Sequence, residues 1–135
     1  MVAYSIIDHP KYKYRLDVTH DHTLRHWTRR REVNIGWAVL SEEGILTIKE
    51  GYAWDGASGP AMDNMNTARA SLIHDVMYQL IAGNRLPPGP WKAHADKEFH
   101  TILREDGVVW FRAAYMYAAV HLFGRGRDEY QPSSF

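Results

Sequence analysis

The sequence predicts a single α+β domain in which an N-terminal antiparallel β-meander precedes a three-helix bundle. Three observations carry that prediction. The first is a change of hydrophobic period, from alternation before residue 50 to helical spacing after residue 66. The second is punctuation, with glycine-rich residues 51–59 and Leu86-Pro87-Pro88-Gly89-Pro90 separating the periodic segments. The third is size: 135 residues, 45% hydrophobic and 13% aromatic, suffice to bury a proper core and make one domain the expectation.

In chain order, residues 4–7 and 12–16 read as short strands, and residues 33–40 and 45–49 as a hairpin around Ser41-Glu42-Glu43-Gly44. Residues 51–65 form a glycine loop, too short of alternation for a strand. The first helix is expected over 66–83, with Leu72, Ile73, Val76, Met77, Leu80 and Ile81 on its apolar positions. Asn66 or Thr67 suits its N-cap, and Gly83-Asn84 ends it. After the proline-rich connector a second helix spans 91–106 and stops at Asp106-Gly107. The third, 108–123, is apolar nearly all round and is expected to be the central buried helix. The domain closes at 123, and residues 124–135 form a polar tail expected to be mobile.

Lys plus Arg number 16 and Asp plus Glu number 16, so no global field draws the chain to nucleic acid or an anionic membrane. The absence of cysteine excludes disulfides, thiolate nucleophiles and cysteine-held metals. The N-terminus lacks the basic start and apolar run of a signal peptide, and no stretch approaches the length of a membrane span.

Chemistry is signalled by polar residues at apolar positions. His74 lies beside the stripe formed by Ala70, Ile73, Met77 and Tyr78, and Asp96 falls among Ala95, Phe99 and Leu103. A buried carboxylate needs a partner. Two helices joined by a short connector pack antiparallel, which can bring Asp96 to His74. An Asp holding one imidazole nitrogen while the other faces a cleft makes a general base. The same pair can equally be a core histidine satisfied by an aspartate. The loop Trp54-Asp55-Gly56-Ala57-Ser58-Gly59-Pro60 can turn main-chain carbonyls toward one point, and Asp75, on another face of the first helix, can supply the carboxylate that calcium requires. Asp55-Gly56 as a simple turn and Asp75 as a solvated charge are the alternatives.

Trp-Asp-Gly-Ala-Ser-Gly-Pro at 54–60, Ser-Leu-Ile-His-Asp-Val-Met-Tyr at 71–78, Ala-Asp-Lys-Glu-Phe at 95–99 and Met-Tyr with Phe-Gly at 116–124 resemble the domain of unknown function 1353 family. That resemblance implies a phage or prophage origin, with the host cytoplasm or the virion as location. More distantly, His74-Asp75-x-x-Tyr78 followed by Ala95-Asp96-x-x-Phe99 is similar to the helix pair of the phospholipase A₂ superfamily. The resemblance implies His74 as general base, Asp96 orienting it, Tyr78 supporting the network, and calcium held by Asp75 with the carbonyls of Trp54, Gly56 and Ser58. The loop departs from the superfamily's Gly-x-Gly, its disulfides are absent, and the β-rich half has no counterpart in the simple enzymes.

Other constellations are weaker. His20-Asp21-His22 with His26 could bind metal but alternates as an exposed strand would. Arg29-Arg30-Arg31 reads as a solvated face. His94 and His100 flank Asp96, and only His100 shares its face. Two functions stand: a calcium-dependent hydrolase of phospholipid or other esters, and a non-catalytic virion or lysis-associated phage protein that binds other virion proteins and uses the same residues structurally.

Overall fold

The computed structural model describes residues 2–55 and 66–123. It has the expected α+β architecture, with antiparallel strands first and three helices after them. The strands divide between two small sheets. One has the order β1 (Tyr4–Ile6), β2 (Tyr14–Leu16), β7 (Ala53–Trp54); the other has β3 (His20–Thr23), β6 (Ile45–Ile48), β5 (Ala38–Leu40), β4 (Val33–Asn34). The hairpin expected around Ser41-Glu42-Glu43-Gly44 joins β5 to β6, with Leu40 opposite Leu46 and Ala38 opposite Ile48. These four side chains are buried and the residues between them face outward, the period-two signature of a half-buried sheet. Gly36, at φ +91°, interrupts the expected long strand and splits it into β4 and β5.

The glycine loop begins later than its composition suggests. Ala53 and Trp54 pair with Arg15 and Tyr14, because the apolar Tyr52-Ala53-Trp54 run has a buried edge to join. Two hydrogen bonds then dock the first helix, α1 (Ala68–Ala82), against this segment: Trp54 Nε1 donates to Ser71 Oγ at 3.1 Å and Gln79 Nε2 to the Tyr52 hydroxyl at 2.8 Å.

The second helix, α2 (Pro88–Glu105), starts inside the proline-rich connector. Proline lacks only an amide that the first helical turn leaves unbonded anyway, so Pro88 and Pro90 are tolerated there. The α1–α2 hairpin is antiparallel. Arg69, at the start of α1, reaches Asp106 beyond the end of α2 at 2.8 Å, whereas Tyr78, a few turns on, meets Asp96.

The third helix, α3 (Trp110–Phe123), is not the central one. Its inner residues Ala113 and Met116 are buried, but Trp110, Phe111, Tyr115 and Leu122 are 62–71% exposed. The central helix is α1, buried continuously from Ala70 to Leu80. Uniform hydrophobicity marks a helix with two apolar faces and does not say that both are covered within the chain. No described helix is long and apolar enough to cross a membrane.

Candidate functional site

Asp96 lies on the α1-facing edge of α2 and is fully buried. Its Oδ1 accepts from His74 Nε2 at 2.8 Å and from the Tyr78 hydroxyl at 2.6 Å. His74 and Tyr78 are four residues apart, one turn of α1, so both address the same carboxylate. Their rings lie 4.1 Å apart, and Phe99 covers His74 at 5.1 Å. The other oxygen, Oδ2, is approached at 3.3 Å by Nδ1 of His121 from α3. His121 is half exposed and stacks on Tyr117.

Burial is the largest influence on Asp96 and opposes its ionisation. The hydrogen bonds from His74 and Tyr78, the charge of His74 and the hydrogen bond from His121 together outweigh it and hold the carboxyl below the usual aspartate range. An ionised carboxylate only accepts hydrogen bonds, so the proton on each histidine is assigned: His74 carries it on Nε2 and His121 on Nδ1. In neutral His74 the lone pair is therefore on Nδ1. His74 as a whole is 4% exposed.

Asp75, next along α1, is 2% exposed, which rules out a solvated surface charge. Of the proposed calcium ligands, Gly56 and Ser58 lie outside the described residues. The Trp54 carbonyl accepts the Lys13 amide at 3.0 Å as part of the first sheet and retains only its second lone pair for another partner. Among the described residues, no group of three or more His, Asp or Glu side chains is arranged to hold a metal ion.

A second buried carboxylate escaped the sequence reading. Glu98, on the opposite edge of α2, accepts from His22 Nε2 at 2.8 Å, from the Arg25 and His26 amides at 2.8 and 2.9 Å, and from Arg25 Nε at 3.0 Å. Burial alone would raise its pKa; the His22 bond, both amides and the Arg25 charge prevail and bring it to about 2. Arg25 also pairs with Glu105. His26 Nε2 bonds Thr101, and His94 Nε2 bonds Thr28. His22 and His26 thus clamp β3 and the chain after it onto α2, and His20, whose Nε2 is buried without a hydrogen-bond partner, takes no part in the clamp; among the described residues these histidines do not gather around a metal-sized point. The signal for Glu98 was present: it stands at i+7 from Trp91, i+3 from Ala95 and i−4 from Ile102, inside the apolar stripe. His121 gave no such signal, since nothing in an all-round apolar helix shows which face meets Asp96.

The fold and this constellation define an α+β domain with a buried histidine–aspartate–tyrosine centre on an antiparallel helix pair. Residues 31–120 match the family described as "Protein of unknown function (DUF1353)", and the chain belongs to that family. No curated protein and no solved structure matches the chain.

Proposed function

We propose that the chain is a calcium-dependent ester hydrolase acting on phospholipid or related acyl esters, with His74 as general base. The observation that carries this reading is the His74–Asp96–Tyr78 geometry: a low-pKa carboxylate fixes Nε2 as the protonated nitrogen and leaves Nδ1 as the base. Nδ1 takes a proton from water as the water oxygen attacks the ester carbonyl. The imidazolium is stabilised by Asp96 and then protonates the departing alkoxide, giving acid and alcohol. Tyr78 holds Asp96 in place. Calcium, bound by Asp75 and the carbonyls of Trp54, Gly56 and Ser58, would supply positive charge opposite the developing oxyanion. The burial of Asp75 supports a role beyond solvation; the engagement of the Trp54 carbonyl counts against its share in that set.

The low exposure of His74 favours a second reading, a phage virion or lysis-associated protein in which the same three residues form a structural centre. One comparison separates the two. Wild type and His74→Gln are assayed on phospholipid vesicles and on a soluble acyl ester, with and without calcium, after their melting is matched. The hydrolase reading expects turnover to fall by roughly 10²–10⁴-fold on loss of the base. Release of no fatty acid by wild type above the His74→Gln background transfers the centre to the structural role. Melting gives an independent check on the metal: calcium that binds only the folded chain raises the midpoint once it exceeds its Kd, and Asp75→Asn abolishes the rise.

A further inference from the structure

We propose that the outward face of α3 is the interface of a two-fold symmetric dimer of this chain, in which two copies of α3 pack antiparallel. Phe111, Tyr115, Ala118 and Leu122 recur at spacings of four, three and four residues. That spacing lines the four up in a seam along one face of the helix. All four residues are exposed, while Ala113 and Met116 on the opposite side of α3 are buried within the chain. The inner face already accounts for packing in the monomer, so the seam is surplus to it.

Three features choose a second copy as the occupant. The first is the order of sizes. An antiparallel pair centred between Tyr115 and Ala118 sets Phe111 against the second copy's Leu122 and each Tyr115 ring against the second copy's Ala118. Large thus meets small across the axis, as close packing requires. The second is charge. Arg112 is the one formally charged residue in α3, it lies off the seam, and the chain as a whole is neutral. Nothing within α3 repels an identical face across a two-fold axis. The third is area. Aromatic side chains bury about 150–250 Å² each, so two such faces at this exposure, Trp110 included, remove roughly 1,000 Å² in total, the lower bound for a specific interface. A weak dimer follows.

The test is sedimentation velocity of the full 135-residue chain from about 5 to 500 µM, the range a weak interface of this size calls for. Wild type is expected to pass from monomer to dimer within that range. Tyr115→Glu, which sets two carboxylates beside the axis, should remain monomeric throughout, with melting that matches wild type at the lowest concentration, where both are monomers, because the position is exposed in the single chain. Ala118→Phe should also weaken the dimer, since it sets ring against ring where the register allots a small residue. Nonspecific apolar adhesion makes the opposite forecast. A wild type that stays monomeric at every concentration, a dimer that survives Tyr115→Glu, or one that tightens with Ala118→Phe overturns the proposal. A monomeric wild type that sediments with neutral phosphatidylcholine vesicles also overturns it, and assigns the face to lipid.

Discussion

Two carboxylates on α2 show how a buried charge is held at a single residue. Asp96 takes its donors from side chains, whereas Glu98 takes two of its four from backbone amides, which cannot swing away. A group whose pKa is depressed by folding adds stability above its unfolded value and loses it as pH falls through the folded one. For Glu98 that window runs from about 4.5 down to about 2. Across it the chain should lose on the order of 3 kcal/mol through this residue. Glu98→Gln should be less stable than wild type at pH 7 and show a flatter decline in acid; urea melts at pH 7, 4.5 and 3 measure both. Asp96→Asn should follow the same direction in stability, and in the hydrolase reading it should also lower turnover, because the amide favours the wrong imidazole tautomer. Asp96 was legible in the sequence because it interrupts an apolar stripe. Glu98 obeys the identical rule at a position where the alternation of charged and apolar residues on α2 hides it.

The β5–β6 connection shows what an element asks of one position. Gly44 has φ +86°, and a Cβ placed there would stand 2.5 Å from Trp27 Cε2. Gly44→Ala therefore meets left-handed strain and overpacking together, and should destabilise by roughly 2–4 kcal/mol. Gly51, at φ +95° with open space around it, isolates the first effect, and Gly51→Ala should cost only about 1–2 kcal/mol. Chemical denaturation of the two variants reads the difference. Element types were legible because period and punctuation are local properties. The start of α2 at Pro88 was not, because proline signals a break and a first helical turn equally well. The short β7 was missed because two residues cannot display an alternation; only a partner strand makes them a strand.

For the whole molecule, the β-rich half and the helix pair share one core that runs from Leu16 and Ile48 through Ile73 to Ile102. Since α1 is surrounded and α3 in the single chain keeps one face open, their amides should exchange differently at concentrations where the chain is monomeric. Those at the centre of α1 should open only with global unfolding, and those of α3 should exchange faster through local opening; hydrogen exchange followed by mass spectrometry distinguishes them. The order of layers was the least legible part of the fold. Which apolar helix lies innermost depends on contacts remote in sequence, such as Trp54 with Ser71 and Tyr52 with Gln79, that no local pattern encodes.

Asp96 and Glu98 sit on opposite edges of the same buried stripe, and together they key α2 like a shaft grooved on both sides. Greasy side chains tolerate a helix rolling by some degrees, since one methyl replaces another. Here a roll in either direction would pull one buried carboxylate off its donors, and both penalties are steep. The azimuth of α2, and with it the alignment of Asp96 beneath His74, is thus set in part by His22 and Arg25 far upstream in the chain. Hydrophobic residues around the helix are free to drift in shape over many substitutions while the imidazole keeps its aim.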